Sequence, residues 1–90
     1  MKLRAYLVDD EPLALDRLRR LLERTGRVEV VGSTTVPEEA VAALKADPPD
    51  VCFLDIQMPR LNGFDVLAQL PRQPIVIFTT PSSATPLLPM

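Results

Sequence analysis

The sequence predicts an α/β fold built on a parallel sheet. Short apolar runs alternate with amphipathic stretches along the chain, in the order βαβαβαβ. Two of the runs end directly on carboxylates: Leu7-Val8 is followed by Asp9 and Asp10, and Val51-Cys52-Phe53-Leu54 by Asp55. Strands buried on both faces read as continuous apolar runs, and a carboxylate placed after one sits at the strand's carboxyl end, where open α/β sheets build their sites.

Each element has its own signal. Leu3 to Val8 reads as a buried strand, and Asp9-Asp10-Glu11-Pro12 as a loop entering a helix with proline in its first turn. From Leu13 to Arg24, Leu15, Leu18 and Leu22 recur at helical spacing while the arginines and Glu23 fall elsewhere, and Gly26 ends the helix. Val28, Val30 and Val31 form a second strand, closed by Gly32. Pro37-Glu38-Glu39 is a helix start, since proline lacks an N–H that would be unpaired there and the acids complement the dipole. Val41 and Leu44 give this helix its buried side, Pro48-Pro49 stops it, and Val51 to Leu54 is the third strand. A loop with Pro59, Asn62 and Gly63 leads into a short helix with Phe64, Leu67 and Leu70 near one face, and Ile75 to Phe78 is the fourth strand. Parallel strands joined by helices require right-handed crossovers.

Ninety residues make one domain, expected over 1–80, with an irregular or disordered Pro/Ser/Thr-rich tail over 81–90. A net charge of −2 argues against a nucleic-acid footprint. The densest cations, Arg17, Arg19, Arg20, Arg24 and Arg27, are interleaved with Leu18, Leu21 and Leu22, as on a solvated helix face. No stretch has the roughly 20 apolar residues of a membrane span, and a cytoplasmic protein is expected. Cys52 is the single cysteine and there is no histidine, which excludes disulfides within the chain and zinc sites; Cys52 reads as a small buried hydrophobe.

In a doubly wound sheet of flavodoxin-like order 2-1-3-4, strands one and three are neighbours where the winding reverses, so Asp9, Asp10 and Asp55 share one crevice. Carboxylates held that close raise one another's pKa and call for a cation. Magnesium suits them, as a hard ion that takes oxygen ligands and needs few protein carboxylates. Solvated acids at loop starts are the plainer alternative.

The segments Leu7-Val8-Asp9-Asp10-Glu11-Pro12 and Leu54-Asp55-Ile56-Gln57-Met58-Pro59-Arg60-Leu61-Asn62-Gly63-Phe64-Asp65-Val66-Leu67 resemble the receiver domain of bacterial two-component response regulators, most closely receivers that precede LytTR-type DNA-binding domains. The resemblance covers about residues 2 to 80. It implies that Asp55 is the phosphoacceptor, taking a phosphoryl group from a sensor histidine kinase with Mg2+ held by Asp9, Asp10, Asp55 and the Gln57 backbone carbonyl. It makes Thr80 the switch residue, or Thr79 if the register slips by one, and gives Pro59 and Gly63 the task of shaping the loop. The expected role is a phosphoacceptor switch that at most assists its own phosphorylation and dephosphorylation, not an enzyme with a separate substrate.

Receivers continue through a fifth strand ending in lysine and two last helices, so the expectation is a receiver truncated after its fourth strand. The only lysines are Lys2 and Lys45, and no catalytic lysine is assigned. Two consequences are expected: impaired phosphotransfer, and self-association through the Ile75–Phe78 edge as a homodimer or oligomer. The alternative function is a non-phosphorylatable receiver-like module that binds or sequesters kinase or regulator partners. A haloacid-dehalogenase-type hydrolase needs a second aspartate where Gln57 stands, and neither membrane nor nucleic-acid binding is expected of this chain.

Overall fold

The computed structural model describes residues 1–55, 63–72 and 74–79, with the backbone alone at 63 and 64. The elements follow the alternation read from the sequence: β1 (Leu3–Val8), α1 (Pro12–Arg24), β2 (Val28–Thr34), α2 (Pro37–Ala46), β3 (Val51–Asp55), α3 (Gly63–Ala68) and β4 (Ile75–Thr79). All strand pairs are parallel and the order is β2-β1-β3-β4, the doubly wound flavodoxin-like arrangement.

Alternation along the central strands divides the core between the two faces of the sheet. Ala5, Leu7 and Val51 point to the α1 side and bury Leu15, with Leu18, Leu22 and Phe53 packed around them. Val8, Cys52 and Leu54 point to the other side, against Ala40, Val41 and Leu44 of α2 and Val66 and Leu70 from the α3 region. Leu7 and Leu54 are fully enclosed, and truncating either to alanine costs about 2–5 kcal/mol. Cys52 is fully buried, and burial raises its thiol pKa to about 12, so it behaves as the small hydrophobe expected.

Helix ends follow local chemistry. Pro12 and Pro37 occupy the first turns of α1 and α2. Gly26 has φ of +73° just past the end of α1, and its N–H donates to the Glu23 carbonyl, the left-handed exit that glycine adopts without strain. At the amino end of the sheet Arg4 pins the turn before β3, donating to Asp47 at 2.6 Å and to the Pro48 carbonyl at 3.2 Å, while Asp50 accepts the Arg4 backbone N–H at 2.8 Å.

Three details differ from the sequence reading. β2 does not close at Gly32 but runs to Thr34, because the register slips between Ala5 and Tyr6: Ala5 faces Val30 and Tyr6 faces Gly32, leaving Val31 as an extra residue. Gly32 lies beneath the Tyr6 ring, where a Cβ would stand 2.7 Å from Cε2. Among the described side chains of the α3 region Val66 is buried beside Leu70, with Leu67 partly covered, the Phe64 side chain lies outside the described residues, and the helix ends at Ala68. Finally, β3 and β4 each extend one residue beyond their apolar runs, which brings Asp55 and Thr79 inside the sheet.

Candidate functional site

The carboxyl ends of β1 and β3 adjoin, since Val8 pairs with Leu54 across the sheet. Asp9 and Asp55 are thereby carried to the same edge, and Asp10 opens the turn into α1. One carboxylate oxygen from each of the three lies within 4.8 Å of the others. Asp55 is almost wholly buried at 1% exposure, Asp9 is buried at 9%, and Asp10 is the most open to solvent.

Backbone donors fix Asp9. Its own N–H donates to the Thr34 carbonyl at 3.3 Å, continuing the β1–β2 ladder past the end of β1. Its Oδ1 accepts the Glu11 N–H at 2.9 Å, a two-residue turn that leads into Pro12. Burial pushes the Asp9 carboxyl up to about 6; the charges of Asp55 and Asp10 push the same way, and only the Glu11 N–H opposes them.

The residues present fit a magnesium ion. The donors are hard carboxylate oxygens, as that ion prefers, and one from each of the three residues lies within 4.8 Å of the others. A bound cation would also relieve the repulsion that raises Asp9.

The structure brings together Asp9, Asp10 and Asp55 and starts α3 at Gly63. Thr79 is the register partner of Asp55 in the β3–β4 ladder. Gln57, Pro59 and Thr80, and the tail over 81–90, lie outside the described residues. Lys2 precedes β1 and Lys45 is in the last turn of α2, which places both at the opposite end of the sheet from the acids.

One part of the site's surroundings escaped the sequence reading. Thr34, buried at the end of β2, accepts the Val36 N–H at 3.0 Å and donates to Glu39 of α2 at 2.9 Å. A hydroxyl two residues before the extended Val36 that opens α2 was the available signal.

Comparison with known proteins agrees with this architecture. The model of the response regulator receiver domain matches residues 5–88. The sensory transduction protein LytT of Bacillus anthracis is 42% identical over 81 residues, 87% of this chain and 33% of that protein. The transcriptional regulatory protein BtsR of Salmonella typhi is 41% identical over 80 residues, 87% of this chain and 34% of that one. The chain thus spans about a third of the length of these curated relatives. Among solved structures, the response regulator domain of Thermotoga maritima CheB superposes with a TM-score of 0.80 at 30% identity, covering 89% of this chain and 61% of that one. With its acid cluster at the carboxyl ends of β1 and β3, the chain belongs to the response regulator receiver domain family.

Proposed function

We propose that this chain is a phosphoacceptor switch in which Asp55 takes a phosphoryl group from a phosphohistidine of a sensor histidine kinase. The observation that carries the reading is the convergence of Asp9, Asp10 and Asp55 within 4.8 Å at the ends of two neighbouring strands. In the transfer, a bond forms between a carboxylate oxygen of Asp55 and phosphorus as the bond from phosphorus to the imidazole nitrogen breaks. The electron pair of that bond stays on the imidazole, which takes a proton from solvent, and the product is an acyl phosphate.

Asp9 and Asp10, with Asp55 and the Gln57 backbone carbonyl, are the groups that would hold magnesium. When bound, the ion supplies positive charge against the oxygens of the transferring group. Asp9 contributes an orientation already set by the Glu11 N–H, and Asp10 contributes the most accessible carboxylate. Asp55 is held by the last pair of the β3–β4 ladder, so the nucleophile is presented by strand and not by loop. A hydroxyl from Thr80, or from Thr79 at the end of β4, would meet the phosphoryl oxygens. Pro59 and Gly63 would turn the chain sharply beside the site.

Intact-mass spectrometry after incubation with magnesium and acetyl phosphate tests this. One added phosphoryl group that is absent in Asp55→Asn is the expected result. No addition to a folded sample, or addition that persists in Asp55→Asn, overturns the assignment.

A further inference from the structure

We propose that Thr34 is a positioning residue for Asp9, acting through the β2–α2 turn. Its four polar contacts run in sequence. Thr34 Oγ1 donates to Glu39 Oε1 at 2.9 Å, with the Val36 carbonyl a longer second acceptor at 3.4 Å, and the same oxygen accepts the Val36 N–H at 3.0 Å. The Thr34 carbonyl then accepts the Asp9 N–H at 3.3 Å. Val36 in turn starts α2, its carbonyl accepting the N–H groups of both Glu39 and Ala40.

The physical logic is that of a helix cap displaced by two residues. Asp9 lies one residue beyond β1 and has the Thr34 carbonyl as its partner on the β2 side. A carbonyl at the last residue of a strand is only as well fixed as the turn that follows it, and that turn is held by a hydroxyl that is itself buried and engaged on both sides. Glu39 closes the link from the first turn of α2, where the dipole favours its charge. Removing the hydroxyl leaves the Val36 N–H without its partner and loosens the carbonyl that holds the Asp9 backbone. The Asp9 carboxylate then loses the registration that lets it share a cation with Asp55.

The inference rests on Asp9 belonging to a magnesium site, and two readouts separate it from that reading. The first is hydrogen exchange of the Asp9 amide in metal-free protein; the second is magnesium affinity from amide chemical shifts of Asp9, Asp10 and Asp55. Thr34→Val should speed Asp9 exchange and weaken magnesium binding roughly fivefold, the weight of one buried hydrogen bond. Thr34→Ser should restore both to within about twofold. Val41→Ala, which loosens the α2 core without touching the hydroxyl, should leave Asp9 exchange and magnesium affinity near wild type. Glu39→Ala should act in the same direction as Thr34→Val, and the pair should be less than additive.

Unchanged Asp9 exchange in Thr34→Val, or equal loosening by Val41→Ala, overturns the positioning role. If wild-type protein binds no magnesium, the cation reading fails, and the exchange comparison still decides whether Thr34 fixes Asp9.

Discussion

Asp55 and Thr79 are register partners, the last pair of the β3–β4 ladder. Because Val8 pairs with Leu54 on the other side, Asp9 falls in the same row as Asp55, so that the row reads Asp9, Asp55, Thr79 across three adjacent strands. In a parallel ladder, residues in one row share a face of the sheet. In the row below it, Leu7 and Phe53 pack on the α1 side with Ile77 on the same face, and Ala5 and Val51 repeat this with Ile75, the two isoleucines being exposed. The carboxylates and one hydroxyl thus continue an apolar column at the point where it reaches the sheet's edge.

Thr79 shares that row with Asp55, and substitution separates it from Thr80, the residue the resemblance names first for the switch. Thr79→Ala should leave phosphoryl incorporation at Asp55 intact by mass while abolishing the phosphorylation-dependent amide shifts along β4, and Thr80→Ala should retain them. The reverse pattern returns the role to Thr80.

Asp9 makes the metal-free protein pH-sensitive in a predictable direction. Its carboxyl titrates at about 6 in the fold against 3.8 unperturbed, so the folded chain holds this proton more tightly than the unfolded chain. The stability linked to the protonated form is present in full below about pH 4 and is lost as pH rises through about 6. In chelator, urea midpoints of wild type should fall relative to Asp9→Asn between pH 4.5 and 7, since asparagine still accepts the Glu11 N–H but carries no charge. Magnesium should narrow that gap at pH 7. Parallel pH profiles for the two proteins would assign the burial cost elsewhere.

Gly32 is predicted to tolerate no side chain while Tyr6 is present. A methyl at Gly32 meets Tyr6 Cε2 at 2.7 Å and Cδ2 at 3.1 Å, and the ring packs against the α2 side of the core. Gly32→Ala should cost about 1–3 kcal/mol in urea unfolding, the range for forced overpacking. Tyr6→Leu in the same chain should recover part of it. Equal losses with and without the ring would mean that the cost lies in the bulged backbone.

These positions show which parts of the fold were legible in the sequence. Asp9 and Asp55 could be placed because strand ends are marked by the change from apolar to acidic residues, and Leu15, Leu18 and Leu22 because one helix face repeats at 3.6 residues. Gly32 was read as a strand end because glycine is a local breaker, whereas its role is set by Tyr6, a residue 26 positions earlier brought alongside by pairing. Val31 interrupts the period of two, and Gly32 beside it was the available signal, since a glycine inside a strand pattern can mark a bulge as well as an end. Val66 was missed because a six-residue helix gives too few turns for its period to choose a face. Thr34 was missed because a single hydroxyl is common at strand ends, and only its simultaneous contact with Val36 and Glu39 distinguishes it.

The outer edge of β4 carries the last prediction. Ile75 is 70% exposed, Ile77 45% and Phe78 39%, and no charge or proline interrupts the strand from Ile75 to Thr79. Among the described residues β3 is its only strand partner, and an apolar edge strand without charge or proline is one that a further strand can join. The occupant this edge fits is β4 of a second copy, because the two strands would bury the same apolar side chains and bring no like charges together. The 90-residue chain should therefore show concentration-dependent association in sedimentation at tens of micromolar. Ile77→Lys should shift it to monomer. Leu13→Lys, at a still more exposed apolar position on α1, should not. A monodisperse wild-type monomer, or equal dissociation by the two substitutions, would remove β4 as the contact. Association unaffected by Ile77→Lys would move the contact elsewhere on the molecule.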